Sequence, residues 1–274
     1  MLKLRGVSKQ YGKCLAVDDV NLEIPAGQMV GVIGRSGAGK STLLRMINRL
    51  VDPSGGEISF EGKSVSALKG TALREWRASC AMIFQQFNLV GRLDVVTNVL
   101  VGRLNRIGLV SSLIKRFGPQ DRALAIAALK RLDMDEHALS RAERLSGGQQ
   151  QRVAIARALV QEPRILLADE PIASLDPKSA SQVMQALTRI NREEGITVLC
   201  NLHHLRPAKT CCDRIIGMAK GRIVFDGTPG ELTLDAVHRI YGMTPGSREL
   251  AEILDESELD APLSAALEPL SAVC

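Results

Sequence analysis

A short glycine-rich segment constrains the fold of this chain more than any other feature. It matches G-x-x-x-x-G-K-[ST] and runs through Gly34, Arg35, Ser36, Gly37, Ala38, Gly39, Lys40, Ser41 and Thr42. Its glycines permit backbone angles that side chains forbid, so successive N–H groups can point inward at an anion. The segment therefore predicts a loop that binds the phosphates of a nucleotide.

The residues on either side of this loop provide the context that such a site needs. Gln28–Ile33 reads as a short buried strand, and Ser41–Ile47 reads as the start of a helix. The N-terminus of that helix adds a dipole that favours a bound anion. Lys40 can bring a positive charge to the β- and γ-phosphates, and the hydroxyl of Ser41 can ligate Mg²⁺.

The composition of the chain limits the classes of protein to which it can belong. Its 274 residues suggest one large domain or two close ones, and its 45% of hydrophobic residues can fill a core. The net charge of +5 is modest and scattered, so nucleic acid is not an expected partner. No apolar run approaches the ~18 residues of a membrane span, and the first residues lack the apolar core of a signal peptide. We therefore expect a cytosolic chain.

Apolar patterning predicts an α/β frame with a helical insertion. Residues 2–33 read as strands separated by turns. From about Asn88 to Ala158 the pattern becomes helical, and the strand pattern resumes with Arg164–Pro171. We predict a nucleotide-binding domain over residues 1–243, with a helical subdomain inserted at about 88–158. A short tail, residues 244–274, would follow it.

Two further segments carry chemistry. The apolar run Arg164–Pro171 contains Asp169 and Glu170 at its end, as expected for a central parallel strand that delivers acids to the carboxyl edge of a sheet. A second glycine pair opens a predicted helix in the segment formed by Leu145, Ser146, Gly147, Gly148 and Gln149. Two glycines at a helix start form another anion-binding nest. One nucleotide loop and one such nest per chain favour a two-fold dimer, in which each nest closes over the partner's nucleotide.

With these motifs the sequence resembles the ATP-binding cassette family, specifically the ATPase subunit of ABC transporters. The resemblance covers residue 1 to about residue 240 and includes the glycine-rich loop, the signature segment Leu145–Gln149, the acidic pair and the turn Ser174–Asp176. It implies an α/β P-loop NTPase fold, with a RecA-like core, an antiparallel β subdomain and an inserted α-helical subdomain. ATP and Mg²⁺ are the cofactors that it implies.

The resemblance also implies a role for each matching residue near the nucleotide. Tyr11 would stack on adenine, although by itself it reads better as an exposed turn residue. Lys40 would bind the β- and γ-phosphates, and Glu170 would be the general base for the attacking water. The Mg²⁺ ligands would be Ser41, Gln85 and Asp169.

The same resemblance assigns residues to the dimer interface and to sensing the γ-phosphate. Asp176 would lie at the dimer seam. Of two neighbouring histidines, His203 would be the γ-phosphate sensor, because the family's spacing to Leu205 and Asp213 fits only when it is counted from His203. The residues that would contact the nucleotide bound by the partner are Ser146, Gly147, Gly148 and Gln149.

Finer features look like the phosphonate-import subfamily. They lie in Ile83–Val90, Val95–Leu100, Pro171–Asp176, Asn201–His203 and Ala236–Gly242. This resemblance implies a homodimer of ATPase subunits, two integral membrane permease subunits and, indirectly, a periplasmic solute-binding protein. The chain would be peripheral, on the cytoplasmic face of the bacterial inner membrane.

Other functions remain open at this point. Importers of polar amino acids or methionine share much of the middle region, and exporters with separate subunits share all the nucleotide motifs. A soluble ABC-type ATPase that acts on nucleic acid usually has two cassettes or a long coiled-coil insertion, and this sequence has neither. The signature segment argues against a P-loop phosphotransferase.

Overall fold

The computed structural model describes residues 1–106 and 117–242, so the predicted tail at 244–274 lies outside the described residues. The strands of the described residues are β1 (Leu2–Tyr11), β2 (Cys14–Ile24), β3 (Met29–Ile33), β4 (Gly55–Phe60), β5 (Lys63–Ser64), β6 (Cys80–Ile83), β7 (Ile165–Asp169), β8 (Thr197–Leu202), β9 (Arg214–Ala219) and β10 (Arg222–Gly227). The α-helices are α1 (Lys40–Ile47), α2 (Gly70–Ser79), α3 (Val95–Leu100), α4 (Pro119–Lys130), α5 (Gly147–Leu159), α6 (Pro177–Glu194), α7 (Leu205–Cys211) and α8 (Leu234–Tyr241).

The central sheet has the strand order β10-β9-β3-β8-β7-β6. All neighbouring pairs from β9 to β6 are parallel, and only β10 runs antiparallel to its neighbour. Every residue of β3 and β7 is buried, as expected for parallel strands covered on both faces. Alternate residues of β3 enter different apolar clusters: Met29 and Ile33 face one, and Val30 and Val32 face the other.

A second, antiparallel sheet has the order β2-β1-β4-β5. It is joined to the central sheet beside the glycine-rich loop, because the N–H of Asp18 donates to the carbonyl of Gly221 at 2.9 Å. The N–H of Gly221 donates in turn to the carbonyl of Ala38 at 3.1 Å. The turn between β9 and β10 therefore connects the second sheet to the predicted phosphate loop.

The stretch predicted to be helical from Asn88 to Ala158 is less regular than expected. Within its described residues, the first helix ends at Leu100 and continues only as a 3-10 turn, Val101–Arg103. The residues between α4 and α5 form turns and short 3-10 segments. The 3-10 turn packs closely on α5, since a Cβ at Gly102 would lie 2.3 Å from the carbonyl oxygen of Arg157.

Two observations concern membrane contact and cysteine chemistry. None of the described helices combines the length and apolar character that crossing a membrane requires. The cysteines in the described part of the chain are free thiols, and burial raises the pKa of Cys80, Cys200 and Cys212. These buried thiols are therefore weak nucleophiles, as expected for packing residues.

Candidate nucleotide site

The carboxyl ends of three neighbouring parallel strands bring the predicted site residues together. Strand β8 lies between β3 and β7, with Ile33 opposite Leu202 and Asp169 opposite Asn201. The chain leaves β3 into the glycine-rich loop and leaves β8 two residues before His204. Ligands of open α/β sheets bind at this edge. The strand register thus accounts for the position of the site.

Two glycines of the loop are required by backbone geometry. Gly34 has φ +148° and Gly39 has φ +101°. A Cβ on Gly34 would lie 2.3 Å from the carbonyl oxygen of Met218, and one on Gly39 would lie 2.3 Å from that of Ala16. Gly37 has φ +79°, a left-handed conformation that side chains disfavour. The close approaches therefore require glycine at Gly34 and Gly39, and the positive φ favours it at Gly37.

Lys40, the first residue of α1, is buried beneath this loop with 4% of its surface exposed. Its Nζ donates to the carbonyl oxygens of Gly34 at 2.6 Å and Arg35 at 3.1 Å. Burial lowers the pKa of Lys40, and the charges of Glu170 and Asp169 oppose that shift. The ammonium is therefore desolvated and surrounded by oxygen atoms, an arrangement in which phosphate oxygens could replace the carbonyls.

Asp169, at the end of β7, forms the centre of a polar cluster and is 3% exposed. Its Oδ1 accepts from the Ser41 hydroxyl at 2.6 Å and from Asn201 Nδ2 at 2.7 Å. Its Oδ2 lies 3.4 Å from a guanidinium nitrogen of Arg45. Sequence reasoning did not identify Asn201 or Arg45. One feature of the sequence could have indicated Asn201 as a site residue: it is a polar residue near the end of an otherwise apolar strand.

Glu170 and His203 are in direct contact. His203 Nε2 lies 2.6 Å from Glu170 Oε1, and the Glu170 side chain is 17% exposed. Glu170 has φ +54°, an uncommon backbone conformation for glutamate that turns the chain sharply at the end of β7. The neighbouring His204 is exposed. Of the two histidines, the structure therefore brings His203 to the predicted general base.

The donor set around Asp169 fits a Mg²⁺ ion that also binds a nucleotide. Mg²⁺ in nucleotide sites uses few protein ligands, because phosphate oxygens and waters complete its shell. Ser41 and Asp169 supply a hydroxyl and a carboxylate side by side. The buried Oδ1 of Asn201 has no hydrogen-bond partner among the described residues, which leaves one acceptor for a bound water.

The signature segment opens α5 with a capping box. The Ser146 hydroxyl accepts from the N–H of Gln149, and the Ser146 N–H donates to Gln149 Oε1 at 2.9 Å. Gly148 packs on the start of α6, where a Cβ would lie 2.5 Å from the Ser179 hydroxyl. Gly147 packs near Leu175. None of these contacts involves the glycine-rich loop of the same chain.

Three predicted residues lie apart from the Asp169 cluster. Asp176 is exposed and caps α6, where hydrogen bonds from Ser179 lower the pKa of its carboxyl group. Gln85 is exposed on the loop after β6, and its side chain forms no hydrogen bond with another described residue. Tyr11 ends β1 with 48% of its surface exposed, and the Lys9 ammonium lies 5.1 Å from its ring centroid. Each has a surface that could meet a ligand or a partner.

A family model described as ABC transporter matches residues 17–173, more than half of the chain. The chain belongs to the ABC transporter family. It is therefore an ATP-hydrolysing protein of the transporter type, as its motifs predict. The matched segment contains the glycine-rich loop, the signature segment and the acidic pair Asp169–Glu170.

Curated relatives cover nearly the whole chain. It is 58% identical over 272 residues to the "Phosphonates import ATP-binding protein PhnC" of Rhizobium meliloti strain 1021, covering 99% of this chain and 96% of that protein. The protein of the same name from Agrobacterium fabrum strain C58 is 60% identical over 259 residues, covering 94% and 91%.

Solved structures confirm the predicted fold class. The ATP-binding cassette MJ0796, a dimer in a post-hydrolysis state bound to ADP and Pi, has a TM-score of 0.74 and 35% identity over 84% of this chain and 99% of that one. CbiO1 of Clostridium perfringens, part of the transporter complex cbiONQ, has a TM-score of 0.75 and 29% identity, covering 94% and 97%. Cassettes of this family thus bind nucleotide and form dimers.

Proposed function

We propose that this chain is the ATP-hydrolysing subunit of an ABC importer that carries phosphonates into the cell. The observation that carries the proposal is the near-full-length similarity to relatives named as phosphonate importers, at 58% and 60% identity. No residue of the nucleotide site contacts a transported solute in such an arrangement. The solute therefore rests on similarity, and the ATP chemistry rests on the site itself.

The contacts of Lys40, Glu170 and His203, together with the motifs of the family, support the following roles at the nucleotide. Lys40 binds the β- and γ-phosphates, and Tyr11 stacks on adenine. Glu170 accepts a proton from the attacking water, while His203, 2.6 Å away, orients that carboxylate and senses the γ-phosphate. Ser41, Gln85 and Asp169 would hold Mg²⁺, which would neutralise phosphate charge when bound.

Two copies of the chain would complete each site. No described contact of the nest at Ser146–Gln149 involves its own glycine-rich loop, and Ser146 is exposed. In a two-fold dimer, each nest would close over the ATP held by the partner, with Asp176 at the seam. ATP would favour the closed dimer because the nests contact phosphate only when closed, and hydrolysis would allow reopening.

The substitution Ser146→Arg tests this two-chain site. We expect ATP hydrolysis to fall about 100-fold, because a bulky cation would replace the capping hydroxyl and fill the nest. ATP binding by the monomer should stay within about twofold of wild type, because its own phosphate loop is unchanged. Steady-state hydrolysis and equilibrium ATP binding measure the two effects. Ser181→Arg, on the exposed face of α6, is the matched control.

A loss of monomer ATP binding in Ser146→Arg would contradict the two-chain site. So would unchanged hydrolysis. The control variant should retain both binding and hydrolysis, because Ser181 lies outside every contact described for the signature segment.

A groove beside the Gln85 loop offers a place for the membrane subunits. A cavity of about 450 Å³ lies between the α2–β6 region and the helical insertion. Its lining includes Arg74, Arg77, Phe84, Leu104, Arg157 and Gln161. Each ATPase subunit of the dimer would receive in this groove a short cytoplasmic helix from one of the two permease subunits. That contact would transmit dimer closure to the membrane subunits. The chain would then be peripheral at the cytoplasmic face of the inner membrane, with a periplasmic solute-binding protein on the other side.

Uptake of a labelled alkylphosphonate tests the proposed solute. Cells that lack this gene would be complemented with the wild-type chain or with Lys40→Ala, and phosphate, methionine and a polar amino acid would be measured in parallel. We expect only the wild-type chain to restore phosphonate uptake, by at least about tenfold over Lys40→Ala, because ATP must bind for transport to proceed. Restoration of a different solute would move the chain to another importer. No uptake defect in the deleted cells would contradict an import function.

A further inference from the structure

Tyr241, at the end of α8, contacts two segments of the nucleotide site: the glycine-rich loop and the segment that follows β8. It is 2% exposed. Its hydroxyl donates to the backbone carbonyl oxygen of His203 at 3.3 Å, and an interaction with the backbone N–H of Gly34 acts to lower the pKa of the same hydroxyl. Its own carbonyl oxygen accepts from a guanidinium nitrogen of Arg35 at 3.4 Å. One residue therefore links the start of the phosphate loop to the histidine that contacts Glu170.

The position of α8 is fixed by close packing on β9. A Cβ at Gly217 would lie 2.4 Å from Cδ1 of Ile240, so the glycine leaves room for the helix to approach the sheet. The Thr233 hydroxyl caps α8, and Gly242 ends it with φ +61°. Four residues of α8 are buried: Ala236, Val237, Ile240 and Tyr241. The caps at both ends and the buried face therefore hold the helix against the sheet.

The chemistry of this hydroxyl suits a bridge between two backbone segments. A phenol can donate one hydrogen bond and accept another; here the hydroxyl donates to His203, and its oxygen interacts with the N–H of Gly34. Burial raises the pKa of Tyr241, and the N–H of Gly34 only partly opposes that shift, so the hydroxyl keeps its proton. If the oxygen were absent, the partly buried carbonyl of His203 would lose its donor, and the N–H of Gly34 would lose its interaction with the hydroxyl.

We propose that Tyr241 is a positioning residue that sets the spacing between the phosphate loop at Gly34 and the γ-phosphate sensor His203. It acts through these backbone groups and does not touch the nucleotide. This inference rests on the proposed ATPase function. It makes the last turn of α8 a structural part of the catalytic site, although the helix lies far from that site in sequence.

Tyr241→Phe tests the bridge while keeping the ring that fills the core. We expect kcat for ATP to fall about fivefold and KM to change less than about twofold, because one bridging hydroxyl is lost while the phosphate-binding groups remain. Hydrogen exchange at peptides that contain Gly34 and His203 should speed up, because the segment at His203 loses its hydrogen bond to the hydroxyl and the amide of Gly34 loses its interaction with it. Circular dichroism would show that the variant is folded.

Thr188→Val is the matched control, because it removes a half-buried hydroxyl that donates to the Met184 carbonyl oxygen at 3.0 Å, within α6. In this control, kcat and the rate of hydrogen exchange at Gly34 should both stay at their wild-type values. Unchanged kcat and exchange in a folded Tyr241→Phe protein would overturn the inference. A wild-type protein that binds no ATP would instead contradict the proposed function, and exchange at Gly34 would still decide whether the bridge exists.

Discussion

Glu170→Gln is expected to bind ATP normally and to hydrolyse it at least about 100 times more slowly than the wild-type chain, since a general base contributes roughly 10²–10⁴-fold. The amide has the shape of the carboxylate but cannot accept the proton of the attacking water. With the γ-phosphate retained, the closed dimer should accumulate. The variant should therefore elute as a dimer in the presence of ATP and as a monomer without it.

The structure indicates that this substitution will not disturb the fold. The Glu170 side chain is partly exposed and makes its closest described polar contact with His203 Nε2, at 2.6 Å. A glutamine oxygen or amide can form a hydrogen bond with the same ring nitrogen, depending on the histidine tautomer. The backbone at φ +54° is equally accessible to glutamate and glutamine. The loss of activity should therefore reflect lost proton transfer.

Glu193→Gln provides the control for removing one negative charge. Glu193 lies at the end of α6 and contacts Arg131, remote from the nucleotide site. Its hydrolysis rate should match that of wild type. If Glu170→Gln kept a near wild-type rate, another group would have to act as the base and the assignment would be wrong. If Glu170→Gln blocked hydrolysis but formed no ATP-dependent dimer, the two-chain site would be wrong.

The sequence predicted those parts of the site that depend on local chemistry. The glycines before Lys40 signal an anion loop, and the apolar run before Asp169 signals a buried parallel strand. Both patterns lie within a single segment, so no long-range information is needed. The α/β fold class follows from the same alternation of buried strands and helices, which solved cassettes confirm.

Contacts that depend on the arrangement of distant segments could not be predicted. Asn201 meets Asp169 only because β7 and β8 pair with these residues in register. Tyr241 meets Gly34 and His203 because Gly217 lets α8 lie close to the sheet. Neither register nor helix approach is encoded in one segment. The end of α3 at Leu100 was not predicted for a similar reason. The apolar residues that follow it pack on α5, and their spacing in the sequence is the same as that of a longer helix.

Lys40→Ala is expected to weaken ATP binding about 100-fold or more. A lysine bound to two phosphate groups forms at least two charge-assisted hydrogen bonds, worth about 1.5–3 kcal/mol each. Their loss corresponds to roughly 3 kcal/mol or more, or about two orders of magnitude in Kd. Isothermal titration with ATP measures this directly. Lys130→Ala, on the exposed side of α4, is the matched control and should bind like wild type.

The same substitution should leave the nucleotide-free protein nearly as stable as wild type. Burial lowers the pKa of Lys40, so the folded chain already disfavours the charged ammonium, and its removal relieves that penalty. Against this, the hydrogen bonds to the carbonyls of Gly34 and Arg35 are lost. We expect these two effects to offset each other, so that the free energy of unfolding changes by less than about 1 kcal/mol.

A melting temperature that rises with ATP in wild type but not in Lys40→Ala would separate ligand binding from folding. An undiminished ATP-dependent rise in the variant would show that Lys40 does not hold the phosphates.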